Sequence, residues 1–364
     1  MKNLPILAIT LGDHHGIGAE IIIKALSDPA FLGGCIPVVV GDPVIMQAHG
    51  VRFAPSLPLR LLPSPALLDP AVHLDAERVV WIWDPRPEAP LEEVLLPEQT
   101  YIRAAVEGCQ RGIFDALVTA PISKESMYAR GFQFPGHTEY LGHLTGVSRS
   151  VMGFSAPRLR VSLVTVHEPL ARVPELLTPE RVLETVRISW QALRDLFGVQ
   201  QPRLALCGLN PHAGEHGHLG REELERLQPV VEQLRAEGIE LEGPFPADTV
   251  FVQAVRGRFD MVVALYHDQG LIPVKLLSFG ESVNVTLGLP IIRTSVDHGV
   301  AYDIAGKGVA DASSMGAALR LALELSTQQN RVKGAPAPLR VSAERAAPSL
   351  QNKTGSREPL LPCG

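Results

Sequence analysis

Short apolar runs alternating with helical patterns are the feature that most constrains this chain. The runs cover residues 4–11, 36–40, 79–83, 116–119, 159–166, 203–209, 261–266 and 291–295. They are rich in Val, Leu and Ile and too short to be spanning helices, so they read as buried strands. With helices between many of them, they imply an α/β protein built on a mainly parallel, doubly wound sheet. The chain has 364 residues, 46% of them hydrophobic, enough to bury a large core divided into two lobes.

One helix is marked by Thr178 as N-cap and Pro179 at its first position, with Val182, Val186, Trp190, Leu193 and Leu196 on one apolar face. A second, over about residues 311–325, repeats Met315, Leu319, Ala322 and Leu323. The Pro-rich stretch 54–90 reads as a loop-containing excursion. After Gln328, Lys, Arg, Ser, Pro and Gly dominate and periodicity fades, as in a flexible tail.

A net charge of -6 and the lack of any Lys/Arg run argue against a nucleic-acid surface. Cys35, Cys109, Cys207 and Cys363 are widely spaced and form no C-x-x-C pair, which points to reduced thiols and a cytoplasmic location. The apolar opening runs straight into Gly12-Asp13 and reads as a first strand rather than a signal peptide. No uninterrupted run reaches the roughly 18 apolar residues of a membrane span.

His167, His212 and His267 each follow one of the apolar runs and precede a loop signal: Pro169, Ala213-Gly214 and Asp268-Gln269-Gly270. Strand ends in an α/β protein converge on one crevice, so three imidazoles delivered there can hold a divalent metal in an open site. The spacing excludes a zinc finger, and no cysteine pair stands near for a closed structural zinc.

Other segments add candidate chemistry. Gly12-Asp13-His14-His15-Gly16-Ile17-Gly18 is first a turn opening a helix, and it matches neither the dinucleotide fingerprint nor a phosphate loop. His137 and Thr138, after Gly136, either present donors to an anion or cap a helix. Asp248 is read equally as an acid/base residue and as a cap. Lys275, Asn284 and Arg293 recur at roughly nine-residue spacing, and a basic residue at a buried strand end needs an anion, from a structural carboxylate or from substrate. Asp297, Gly299 and Gly306 lie in a Gly-rich stretch where a nucleotide can rest.

Together, Gly-His-Thr-Glu at 136–139, Leu-Asn-Pro-His-Ala-Gly-Glu at 209–215, Pro-Ala-Asp-Thr at 246–249, Tyr-His-Asp-Gln-Gly-Leu at 266–271 and the long run 284–299 closely resemble the 4-hydroxythreonine-4-phosphate dehydrogenase family. The resemblance covers about residues 4–327. It implies a two-lobed α/β/α subunit similar to the isocitrate and isopropylmalate dehydrogenase fold, and a homodimer with its active site at the interface. The lobes are then 1–122 plus 290–328 and 123–289, followed by a tail at 329–364.

By the same resemblance His167, His212 and His267 are metal ligands, for Zn, Mg, Mn or Co. His137, Thr138, Lys275, Asn284 and Arg293 match the family's substrate-binding positions; read from the residues themselves, Lys275 and Asp248 are the catalytic candidates and Asp297, Gly299 and Gly306 the candidates to contact NAD or NADP. The implied reaction oxidises 4-phosphohydroxy-L-threonine to 2-amino-3-oxo-4-phosphohydroxybutanoate, which decarboxylates to 3-amino-2-oxopropyl phosphate in pyridoxal 5'-phosphate biosynthesis. The metal supplies charge stabilisation and nicotinamide accepts hydride.

Two positions depart from the family pattern: His14-His15 replace Pro-Ala, and Glu168 replaces Leu. They keep dehydrogenases of D-threonate or D-erythronate 4-phosphate open as alternatives. A phosphate acyltransferase or a metal-binding scaffold is a further reading, and the three histidines and the anion clamp, respectively, speak against them.

Overall fold

The computed structural model describes residues 4–65, 79–89 and 95–334. Twelve strands form one sheet: β1 (Ile6–Thr10), β2 (Ile36–Val40), β3 (Leu59–Leu61), β4 (Val80–Trp83), β5 (Ala116–Thr119), β6 (Val151–Ala156), β7 (Leu159–Leu163), β8 (Arg203–Cys207), β9 (Glu240–Phe245), β10 (Met261–Ala264), β11 (Val283–Leu287) and β12 (Arg293–Ser295). Their order is β3-β4-β2-β1-β5-β12-β11-β6-β7-β10-β8-β9. The α/β class expected from the alternation is therefore present.

Each of the eight apolar runs contains a strand, usually trimmed at its ends. Sequence patterning missed β3, β6, β9 and β11, and physical reasons are visible. β6 carries Gly153 and Ser155, β9 carries Gly243-Pro244 at the sheet edge, and β11 is the alternating Val-Asn-Val-Thr-Leu. The sheet is mainly parallel, as expected. β11 runs antiparallel to both β6 and β12, and β6 antiparallel to β7; every other pairing is parallel.

The strands expected in the first lobe, β1–β5 and β12, fill one side of the sheet, and β6–β11 fill the other. They meet at the β12–β11 pair, where Asn284 faces Ser295. Central strands are buried on both faces: Leu7, Ile9, Val38, Leu117, Val161, Leu204 and Val262 have essentially no exposure. Burying a Val, Leu or Ile side chain contributes about 1.5–3 kcal/mol, which makes this apolar layer the main support of the crevice at the strand ends.

The helix Pro179–Asp195 begins as expected, with the Thr178 hydroxyl accepting from the Arg181 N–H. The final helix, Ser313–Gly334, extends past the boundary at Gln328 read from composition; the rest of the 329–364 segment lies outside the described residues, as do 66–78 of the Pro-rich excursion. The described part of that excursion contributes the expected β4 and, beyond expectation, β3. Among the described residues, no helix is long and apolar enough to cross a membrane.

Candidate active site

A cleft of about 460 Å³ opens where the two halves of the sheet meet. Its walls include Lys124 from the helix after β5, Gly136 to Glu139, His167 after β7, His267 after β10, Asn284 on β11, and Arg293 and Ser295 to Gly299 on and after β12. Most of these groups follow the C-terminal ends of strands, where the last residues of parallel strands deliver side chains to a common crevice.

Arg293 is the dominant group. It is 2% exposed, and its guanidinium donates to the Thr119 hydroxyl (2.7 and 3.2 Å) and to the Thr286 hydroxyl (2.9 Å). Among the described residues no carboxylate pairs with it. Burial pushes this guanidinium down to about 9, with the more distant Glu139 charge opposing the shift. A cation desolvated with only neutral hydroxyls as partners is costly unless an anion joins it.

Two further polar atoms await partners. Nε2 of His137 and Oδ1 of Asn284 are buried without a hydrogen bond. His137 opens the helix His137–Thr145, whose N-cap is Gly136 with no side-chain capping bond. The capping alternative for His137 and Thr138 is thereby removed, leaving the first-turn N–H groups turned toward the cleft wall. Burial first, then the charges of Arg293 and Lys124, hold the His137 imidazole well below its ordinary range, so it stays neutral.

Of the three candidate metal ligands, the structure brings two together. The His167 and His267 rings lie 5.8 Å apart, both lining the cleft. His267 is the first residue of the helix His267–Ser278; the loop expected after it is absent because Asp268-Gln269-Gly270 continue that helix. Its Nδ1 is 2.8 Å from Asp268 Oδ1, which leaves Nε2 as the free ligand atom, the arrangement in which a carboxylate orients a metal-binding imidazole. Desolvation in the cleft, then the Lys124 and His267 charges, keep the His167 imidazole below its usual range and thus neutral for ligation.

His212 stands outside this lining, exposed on the turn that follows β8. That turn is unusual: His212, Ala213, Gly214, Glu215 and His216 are all left-handed, with φ from 43 to 79°. For non-glycine residues this conformation costs roughly 1–2 kcal/mol each, and such strain gathers at functional loops. Asp248 is also outside the lining, exposed in the first turn of the helix Ala247–Val255; its alternative role as cap is not realised, since no side chain caps that helix.

Lys275 reaches the cleft edge, with Nζ 3.3 Å from Asp297 Oδ1, and Asp297 also accepts from the Ser282 hydroxyl at 2.7 Å. Gly299 lines the cleft with open space where a Cβ would stand, and Gly306 has φ +68°. These two glycines leave backbone approachable by a flat or charged ligand. The histidine pair therefore offers two imidazole donors suited to a divalent ion, while Gly306 lies outside the cleft lining.

Sequence reasoning missed Thr286, and it singled out the segment 119–124 at the end of β5 without giving Thr119 or Lys124 a role. Thr119 ends a recognised strand, so its position was available, but nothing in the spacing couples it to a residue 174 positions away. Asp13, His14 and Glu98 form a further cluster, with ligand atoms within 4.8 Å of one another. Its carboxylates already have partners: Arg130 donates to Glu98 at 2.6 and 3.2 Å, and the Tyr302 hydroxyl to Asp13 at 2.5 Å.

An α/β scaffold with a buried anion-seeking arginine beside an imidazole pair defines a small-molecule enzyme site of the anion-binding class. The comparisons make this specific. The family profile described as "Pyridoxal phosphate biosynthetic protein PdxA" matches residues 35–322, and the chain belongs to that family.

It is 47% identical over 338 residues to a Geobacter metallireducens protein named 4-hydroxythreonine-4-phosphate dehydrogenase, covering 91% of this chain and 97% of that one. It is 44% identical over 329 residues to a Cupriavidus necator protein named D-threonate 4-phosphate dehydrogenase, covering 90% and 98%. The crystal structure of 4-hydroxythreonine-4-phosphate dehydrogenase from Klebsiella pneumoniae superposes with a TM-score of 0.78 at 38% identity, covering 88% and 99%.

Proposed function

We propose that the protein oxidises 4-phosphohydroxy-L-threonine with NAD or NADP and a divalent metal ion, yielding the 2-amino-3-oxo acid that decarboxylates to 3-amino-2-oxopropyl phosphate. The observation that carries this reading is Arg293, a buried cation without a carboxylate, flanked by the orphaned His137 Nε2 and Asn284 Oδ1. A phosphorylated hydroxy acid supplies anionic oxygens and a hydrogen-bonding group to these three at once. The family membership and the names of its members support the same reaction.

In this reading Arg293, His137, Thr138, Asn284 and Lys275 bind and orient substrate, and Lys275 moves the proton of the reacting hydroxyl. His167, His267 and His212 hold the metal, and Asp297, Gly299 and Gly306 hold the nucleotide. A bound divalent ion supplies positive charge to the reacting oxygen, and the nicotinamide accepts the hydride. Asp248, like His212, stands outside the cleft lining of a single chain, so a role for either in the reaction requires that it reach the cleft from a second copy.

A homodimer fits this account. Ile272, Leu276 and Phe279, at 65, 84 and 88% exposure, form an apolar stripe on and just beyond the helix that His267 opens. A second copy covering this stripe lies next to the cleft. Cys35 and Cys207 are buried free thiols pushed up by desolvation, in keeping with a cytoplasmic protein.

A second reading, a D-threonate 4-phosphate dehydrogenase, is favoured by the Cupriavidus necator relative. Initial rates of NAD(P)H formation on 4-phosphohydroxy-L-threonine and on D-threonate and D-erythronate 4-phosphates separate the two. Fastest turnover of the amino acid supports the first reading, a sugar-acid phosphate preference replaces it with the second, and no turnover on any of the three refutes both.

A further inference from the structure

Four residues before His212, the Gly208 carbonyl accepts a 2.8 Å hydrogen bond from Gln269 Nε2; the other end of the same amide accepts from the Leu265 N–H at 2.7 Å. Gln269 is only 8% exposed. One buried side chain thus links the end of β8, which leads to His212, with the segment between β10 and His267. The Leu265 carbonyl is in turn bonded by the Thr165 hydroxyl at 2.7 Å, two residues before His167. All three histidine segments are joined through one buried chain of hydrogen bonds.

Glu223 fixes the far side. It is 2% exposed, and no Lys or Arg pairs with it among the described residues. Its Oε1 accepts from the N–H groups of Leu209 (2.8 Å) and Asn210 (2.7 Å), and its Oε2 from Asn210 Nδ2 (2.9 Å). A Cβ on Gly214 would lie 2.6 Å from Glu223 Oε2, and one on Gly208 would lie 2.9 Å from Ala213 Cα, so the left-handed turn is packed directly on this carboxylate. A buried anion that spends its acceptors on one strained loop is there to hold that loop's shape.

We propose that Glu223 and Gln269 are positioning residues that hold the His212 turn in its left-handed form and in register with His267, preorganising the metal ligands. The proposal rests on the reading of the three histidines as metal ligands. Groups that orient ligands in this way are worth about 10- to 100-fold in metal affinity.

The test is Co²⁺ titration of the metal-free full chain followed by visible absorption, with inorganic phosphate affinity measured in parallel as a report on the Arg293 side of the cleft. Glu223→Gln and Gln269→Met are each compared with the native chain, so that a folding failure in one leaves the other. The expected result is about 10- to 100-fold weaker Co²⁺ binding with unchanged phosphate affinity. Native Co²⁺ affinity in the folded variants overturns the proposal, and so does a parallel loss of phosphate and Co²⁺ binding, which marks a general structural role. A native chain that binds phosphate but no Co²⁺ overturns the metal reading itself, a result distinct from the other two.

Discussion

Replacing Arg293 by Met separates function from stability in opposite directions. Among the described residues the native guanidinium is desolvated and meets only the hydroxyls of Thr119 and Thr286, and Thr119 also donates to the Ser295 hydroxyl at 3.0 Å, a partner it keeps when the guanidinium is gone. Its folded-state pKa is lowered, so its protonated form costs stability fully below about pH 9, a cost that fades as pH rises toward the unfolded value. At neutral pH a Met of similar length removes a buried uncompensated charge and leaves the ligand-free chain as stable as before or more so.

Substrate loses a buried charge partner, worth about 2–5 kcal/mol, or roughly 30- to several-thousand-fold in kcat/KM at 1.4 kcal/mol per tenfold. Thermal unfolding without ligand and steady-state kinetics are the paired assays. A Tm drop of several degrees with unchanged kcat/KM would refute the reasoning, because it would make Arg293 a structural residue.

Phosphate, or a phosphorylated substrate analogue, raises the native Tm; at 100 times Kd the stabilisation is about 2.7 kcal/mol, and calorimetry on Arg293→Met should show none of it. Because His137 is held neutral in the fold, native stability falls as pH drops below about 6.5, where the unfolded chain takes up the proton; the gap between denaturant midpoints at pH 7 and pH 5 should narrow in His137→Gln, with the lowered His167 retaining part of it. His267→Ala abolishes chelator-sensitive turnover while far-UV circular dichroism stays native, and retained activity removes the residue from the site. Phe279→Asp, on the exposed apolar stripe, is expected to convert the proposed homodimer to monomer in light scattering; an unchanged mass refutes an interface at this stripe.

Much of the sheet was legible because strands buried on both faces need runs dominated by Val, Leu and Ile, as in β1, β2 and β10. β11 was opaque for the opposite reason: Asn284 and Thr286 interrupt its apolar residues because one serves the cleft and the other Arg293. In the site, His167, His267 and Arg293 were legible from strand-end placement, whereas the neutral environment of Arg293 was not. Thr119 and Thr286 are ordinary β-strand residues, and only the crossing of β5, β12 and β11 makes them its partners. The left-handed turn at His212 was hidden as well, since four of its five residues carry side chains that ordinarily avoid that conformation.

The central claim is a metal-assisted oxidation of a phosphorylated hydroxy acid bound at Arg293. Its most direct test is the stoichiometry of NAD(P)H and carbon dioxide released from 4-phosphohydroxy-L-threonine by the EDTA-treated chain, before and after a divalent ion is restored. The account predicts negligible turnover without metal and equal amounts of both products with it. Turnover that ignores EDTA, or metal-restored protein that forms neither product, would contradict it.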